Sequence, residues 1–421
     1  MNSIQSICAL EVLDSRGNPT VETVVKLKNG EIGAALVPSG ASTGKHEAYE
    51  LRDNDPSRYN KKGVLRAVKN INTVLNEALE GCPICQSSVD TCLIRTDGTF
   101  TKEKMGANAI LSVSLAAARA GAQDKNIQLF QYLGGINAKR MPVPLMNVLN
   151  GGVHASNDLD VQEVMIVPVG FNRFSEALRC GCEIYHALGR ILKSDKKVTS
   201  VGDEGGYAPD VGSLECAIEY LIRAIKEAGY DTERVKISID CAAGEWYRED
   251  GTYLLPKCGA VYTAAELCSY YSQLCERYPI FSIEDGLSDD DMNGWQYLTK
   301  ELSERVLLVG DDLFVTSTSR LKDGIEKGIA NAILIKPNQV GTLSETMEVM
   351  RLAKENGYKT IVSHRSGDTE DTFIADLAVG MNAGYIKCGA PSRSERTAKY
   401  NRLLFIEGAL PLDTVYGAEQ Y

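Results

Sequence analysis

From residue 280 to residue 339 the chain reads IFSIEDGLSDDDMNGWQYLTKELSERVLLVGDDLFVTSTSRLKDGIEKGIANAILIKPNQ. Three apolar runs stand out, IFSIEDGL, VLLVGDDLF and AILIKPNQ, and each gives way to charge, at Glu284, Asp311 and Lys336. None alternates cleanly, which is the pattern of strands buried on both faces. The same beat extends backward through VQEVMIVPV and VKISIDCAA and forward through TIVSHRSG and GYIKCGAP. Helical patterns such as AAELCSYYSQLCERY, TLSETMEVMRLAKENG and SERTAKYNRLLFIEGAL lie between the runs. Six or more βα units predict a parallel sheet, either a barrel or a doubly wound open sheet. The charges choose between them. Asp240, Glu284, Asp311, Lys336, His364 and Lys387 each end a run, and from Glu284 onward the spacings are 27, 25, 28 and 23 residues. A barrel gathers the carboxyl ends of its strands around one mouth, whereas an open sheet spreads them along an edge. The reading is α/β, with a barrel.

Outward from the barrel the chain changes character. Residues 3–37 read as a β-meander, SIQSICALEVLD, TVETVVKLK and EIGAALV, punctuated by Asn18-Pro19 and the hairpin signal Asn29-Gly30. Amphipathic segments follow, KKGVLRAVKNINTVLNEAL and NAILSVSLAAARAGAQ. Strands followed by helices predict a smaller N-terminal α+β domain. We place it at 1–132 and the barrel domain at 140–421, with Leu133-Gly134-Gly135 and Met141-Pro142-Val143-Pro144 marking the boundary. A length of 421 residues suits two domains.

Composition narrows the function classes. A 44% hydrophobic and 24% charged chain can bury a sizeable core. Its formal net charge of −11 argues against nucleic acid or an anionic membrane as the main partner. An anionic substrate stays open, because metal ions and basic groups can reverse the field inside a cleft. The opening MNSIQSICALEVLDSRG lacks a basic segment followed by an apolar one, and the most apolar stretch, Ala107 to Ala118, is too short and polar to span a bilayer. No membrane span and a cytoplasmic location are expected, with the twelve cysteines as reduced thiols. Cys82-Pro-Ile-Cys85 has no second such pair, so it reads as ordinary loop thiols.

The run-end residues carry the chemistry. Asp240, Glu284 and Asp311 would repel one another unless a cation sat between them, and oxygen ligands without His or Cys favour magnesium. Pairing of each with a lysine is the plainer alternative. Lys336, near cations and partly desolvated, is expected to have a lowered pKa suited to a general base, or else to neutralise the carboxylates. Glu163 and Glu204, the latter in VGDEGGYAP, form a second acidic pair able to share a proton; each alone reads equally as a turn acid. Gly40-Ala-Ser-Thr-Gly44-Lys45 has one residue too few between its glycines for a nucleotide loop, and His46 follows where Ser or Thr belongs. A hydroxyl-bearing loop that closes over a ligand fits better. Arg365-Ser366-Gly367 could fork onto a phosphate, and His154 reads as a lid residue or a surface histidine.

Several longer motifs resemble enolases. These are SGASTG at 39–44, NVLNGG and HAS within 147–156, QE at 162–163, GDEGGYAPD at 202–210, ILIKPNQVGTLSET at 333–346, VSHRSG at 362–367 and IKCGAPSRSERTAKYN at 386–401. The resemblance runs from first strand to last helix. It implies a modified eight-stranded TIM-type barrel behind a small N-terminal domain, and Mg-dependent dehydration of 2-phosphoglycerate to phosphoenolpyruvate. Lys336 would take the C2 proton and Glu204 would protonate the departing hydroxyl, supported by Glu163. Gln162, His154 and Lys387 would surround the substrate. Asp240, Glu284 and Asp311 would hold one magnesium, and Ser39 would help hold a second with the phosphate. Arg365 and Ser366 would bind that phosphate beside His364. The resemblance also implies a homodimer or an octamer of dimers.

Four positions depart from the family pattern: Gly286 after IED, Gly244 in AAGE, Val153 in GVHA and Lys45-His46 beside SGASTG. None removes a catalytic group, but they leave room for a paralogue acting on a phosphonate analogue or another acid. A non-catalytic scaffold would be expected to lack one of Glu163, Glu204, Lys336, His364 or Lys387, and all five are present. The last residue is Tyr421, in place of the terminal lysine associated with surface-receptor roles.

Overall fold

The computed structural model describes residues 2–40, 44–411 and 414–417. Ala41, Ser42 and Thr43 of the expected closing loop, and Tyr421, lie outside the described residues. The meander is present as strands β1 (Ile4–Leu13), β2 (Pro19–Leu27) and β3 (Ile32–Leu36), joined antiparallel in that order. An 18-residue helix, Ala107–Asp124, lies across this sheet with nearly every residue buried. Its alanines allow backbone to approach backbone. At Gly33 a Cβ would sit 2.2 Å from Ala116 O and from Ala120 N, groups fixed within the helix. Gly33→Ala should therefore lift the helix from the sheet and cost about 3 kcal/mol, read as a lower denaturant midpoint at unchanged slope.

The second layer is a closed barrel. Its strands are β4 (Val143–Asn150), β5 (Glu163–Pro168), β6 (Val235–Asp240), β7 (Ile280–Glu284), β8 (Leu307–Gly310), β9 (Ala332–Ile335), β10 (Lys359–Ser363) and β11 (Tyr385–Lys387), in that order around the ring. Val143, Leu145, Met165, Val309, Leu334 and Ile361 fill the interior, while the outward side chains pack on the surrounding helices. Burial on both faces is why the runs do not alternate.

One detail differs from the sequence reading. The sheet is not wholly parallel, because β5 runs antiparallel to both β4 and β6. Glu163 opens β5 and lies opposite Asp240, the last residue of β6, and Asn150, the last of β4. Reversal of this strand therefore brings its first residue to the same mouth as the others' last. Strand β4 begins within the boundary motif Met141-Pro142-Val143-Pro144, inside the barrel domain placed from residue 140. Pro144 nevertheless pairs in register with Ile386 near the start of the strand, a position that proline tolerates.

The N-terminal layer docks beside the mouth. Ser39 and Gly367 exchange backbone hydrogen bonds of 2.8 and 2.9 Å, and Arg119 grips Asp371 through both terminal nitrogens. Among the described residues no helix is long and apolar enough to cross a membrane.

Candidate active site

The mouth opens as a cleft lined from the barrel by His154, Gln162, Glu163, Glu204, Asp240, Asp311, Lys336, His364, Arg365, Ser366 and Lys387. Gly40 and Glu47 close it from the N-terminal layer. Of the residues expected from sequence, Glu284 lies just beneath, 1% exposed. Ser39 is buried, but its hydroxyl donates to Glu50 Oε2 at 3.1 Å and accepts from Arg52 Nη2 at 3.0 Å.

At the floor, Lys387 Nζ lies 2.8 and 2.9 Å from the two Glu284 oxygens and 3.0 Å from Asp240 Oδ2. Glu163 Oε2 is 3.1 Å away, within ion-pair distance but not aligned for a hydrogen bond. Three buried carboxylates thus share one ammonium. Burial, then Asp240, pushes the Glu284 carboxyl well above the usual range. Gln162 Nε2 approaches Asp240 Oδ2 at 3.4 Å.

Lys336, just past β9, hydrogen-bonds Asp311 through its ammonium. Burial works to lower its pKa, but the Asp311 carboxylate, helped by Glu284, carries it above the ordinary value. The shift runs opposite to the lowering expected of a lysine beside cations, because the nearest charge here is the Asp311 anion. The backbone N–H of Lys336 donates to Thr316 Oγ1 at 2.9 Å, and Gln339 Nε2 donates to Asp311 Oδ1 at 3.0 Å, so both partners are fixed.

Across the cleft stands the second acidic pair. Burial, then the neighbouring Glu204, raises the Glu163 carboxyl well above its ordinary range. Burial also opposes ionisation of Glu204, yet His154 and Arg396, with a hydrogen bond from Glu163, take it well below. The two carboxyls are thus pushed in opposite directions, the arrangement expected of a confined pair that can share a proton. Asn147 Nδ2 steadies Glu204 Oε2 at 2.8 Å, and His154 Nδ1 lies 3.8 Å from Oε1. His364 Nε2 is 3.9 Å from the same oxygen, but burial and Arg396 hold this ring neutral, so the contact is not an ion pair. Gly205 has φ +85°, and a Cβ there would meet Ser392 O at 2.7 Å, which keeps the Glu204 turn to glycine.

Four functional residues were not singled out in the sequence. Arg396, wholly buried, donates to His364 Nδ1 at 2.5 Å and to the carbonyls of Arg365 and Ser366 at 2.6 Å. It shares the buried face of helix Ser394–Ala409 with Lys399, Tyr400, Leu403 and Ile406, so two cations in the apolar phase of a helix were the available signal. Asp285 accepts from Asp311 N at 2.9 Å and Asp312 N at 2.8 Å, fixing the turn that carries Asp311. Glu47 and Gln339 complete the set. Ala242, Asp285, Val315 and Thr316 all hold φ between +40° and +52°, left-handed values that cost non-glycine residues energy and cluster at this mouth.

The departures from the family pattern leave these contacts alone. A Cβ at Gly244 meets nothing within 4 Å, and Val153 is 62% exposed. Gly286 accepts a 2.9 Å hydrogen bond from Tyr271, while Lys45 pairs with Asp290 at 2.9 Å on the surface.

The donor set fits a hard divalent cation. Oxygens of Asp285, Asp311 and Asp312 lie within 4.8 Å of one another, as do ligand atoms of His154, Glu163 and Glu204. Asp240 and Glu284 add further buried carboxylates, more negative charge than two ammonium groups balance. In the structure Lys387 holds Asp240 and Glu284 while Lys336 holds Asp311, so the expected ligand trio is divided between two lysines.

Comparison with known families agrees with the architecture. Residues 4–133 match the family model described as "Enolase, N-terminal domain" and residues 138–421 the one described as "Enolase, C-terminal TIM barrel domain". With both layers matched in order over nearly the whole chain, this chain belongs to the enolase family.

Proposed function

We propose that this protein removes water from 2-phosphoglycerate to give phosphoenolpyruvate, with two magnesium ions per site, and that it works as a homodimer or an octamer of dimers. Family membership supports a metal-dependent lyase acting on a small molecule. The observation that carries the finer reading is that Lys336, the Glu163–Glu204 pair, Arg365 and Ser366 all line one cleft.

Lys336 Nζ, once neutral, takes the C2 proton, and the C–H electron pair passes into the carboxylate as an enediolate. Those electrons then form the C2–C3 double bond as the C3–oxygen bond breaks. The leaving hydroxide takes a proton from Glu204, replenished from the one shared with Glu163, and departs as water. Asp240, Glu284 and Asp311 would hold magnesium, with Ser39 joining a second ion; bound there, it supplies positive charge against the second negative charge gathering on the substrate carboxylate. Arg365 and Ser366 fix the phosphate, and His154, Gln162, His364 and Lys387 shape the wall around C2 and C3.

The test is ultraviolet absorbance of the enol product formed from 2-phosphoglycerate. Turnover with magnesium, reduced to background by excess chelator and restored by added magnesium, is the expected result. A folded protein that binds magnesium and leaves 2-phosphoglycerate untouched refutes the reading and directs attention to phosphonate analogues.

A further inference from the structure

The Arg365 side chain already holds an anion. Its Nη1 donates to Glu47 Oε2 at 3.1 Å and its Nη2 to Glu47 Oε1 at 3.1 Å, a two-pronged pair with each side chain only 5% exposed. The Glu47 carboxylate also accepts from Gly44 N at 3.1 Å and from Gln339 Nε2 at 3.3 Å. A guanidinium fork, a backbone N–H and an amide N–H converging on one buried carboxylate form the donor set that recognises a phosphate or carboxylate ligand. Glu47 reaches it from the N-terminal layer, 318 residues away in sequence. Its segment is held lightly: Glu47 N donates to Gly44 O at 3.1 Å, Ala48 N to Gln339 O at 2.8 Å, and Lys45 pairs with Asp290 at the surface.

We propose that Glu47 is an internal stand-in for the anionic group of the substrate: it occupies the Arg365 fork in the free protein and must give it up when substrate binds. The proposal rests on the reading that Arg365 receives the substrate phosphate. A phosphate and a carboxylate do not share one fork at close range without strong repulsion, so one displaces the other. Gln339 carries the exchange inward. Its Nε2 bonds Glu47 Oε1 and Asp311 Oδ1 together, so departure of Glu47 leaves that amide to Asp311 alone. The stand-in keeps Arg365 oriented and its charge balanced between turnovers. It also makes binding depend on movement of residues 44–48.

A stand-in that fills the fork in about nine molecules of ten lowers the apparent anion affinity about tenfold. Inorganic phosphate, titrated calorimetrically into the intact protein, is the probe. Glu47→Gln, which keeps shape and loses charge, should bind phosphate about tenfold tighter than wild type and lower KM for 2-phosphoglycerate by a similar factor. Unchanged or weaker binding overturns the proposal, since a residue that only positions Arg365 would weaken phosphate when neutralised. Arg365→Met should lose the phosphate response. If it does not, Arg365 is not the phosphate residue and the reading beneath the proposal fails as well. A measurement on wild type avoids dependence on the variant's folding: hydrogen exchange in residues 44–48 should quicken when phosphate binds. Exchange that is unchanged or slowed shows Glu47 still in place and refutes displacement.

Discussion

Lys336→Ala lowers turnover of 2-phosphoglycerate by roughly 10²- to 10⁴-fold, the usual worth of a positioned proton-transfer group. The side chain enters from the end of β9, among buried strands, and its ammonium reaches no acceptor better than Asp311. Removing it leaves Asp311 with the Gln339 amide and the backbone turn set by Asp285, so the fold should survive. Circular dichroism and an unchanged denaturant midpoint would establish that. A second readout separates the base from a merely structural lysine. If Lys336 removes the C2 proton, Lys336→Ala also stops exchange of that hydrogen with solvent, whereas Glu204→Gln slows loss of hydroxide and leaves the exchange. Exchange that persists in Lys336→Ala at the wild-type rate would falsify the assignment. The raised pKa of the Lys336 ammonium sharpens the demand: its proton must leave before the reaction begins, and the Asp311 pair resists that.

The barrel was legible because its physics repeats. Most strands are buried on both faces and give way to a charge, so five run-ends from Glu284 onward at nearly even spacing, with Asp240 before them, announced one mouth. Where the rule is broken, the sequence misled. Strand β5 carries the same apolar signature whichever way it runs, and direction is set by connections that no periodicity records. Pro142 and Pro144 mark a strand entrance as readily as a domain boundary. The site divides in the same way. Glu163, Asp240, Glu284, Asp311, Lys336, His364 and Lys387 could be placed because a strand end fixes each one. Glu47 and Arg396 could not, because a loop glutamate and a helical arginine look like solvated surface until the fold brings them to Arg365 and His364. Proton placement was the least legible of all. The sign of the Lys336 shift depends on Asp311 being the nearest charge, and the opposite shifts of Glu163 and Glu204 depend on which carboxylate has His154 and Arg396 beside it.

Lys387→Met should be the most destabilising single change at the mouth, by about 3–5 kcal/mol, because it strips three buried carboxylates of the ammonium they share. Methionine nearly matches the lysine in volume, so the loss is electrostatic and not a cavity effect. The remedy identifies the cause. Adding Glu284→Gln to Lys387→Met removes one uncompensated charge, and the double variant should recover part of the loss, a coupling that independent sites would not show. The pH dependence has a definite sign. Burial and mutual repulsion hold the Glu163 and Glu284 carboxyls above their ordinary value near 4.5, so the folded state binds protons that the unfolded state has released. These two groups therefore cost stability as pH rises from about 4.5 toward neutrality, and Lys387→Met steepens that fall. The deficit should be smallest near pH about 4.5 and grow as the pH rises, since Glu163 and Glu284 lose their protons in the folded state only well above that value. Magnesium supplies the remaining test, read by unfolding and not by activity. If Asp240 and Glu284 hold a cation, magnesium should raise the Lys387→Met midpoint more than that of wild type, since the ion then faces no competing ammonium. A variant as stable as wild type at pH 7, and indifferent to magnesium, would show that the three carboxylates are neutral without Lys387 and are no cation site.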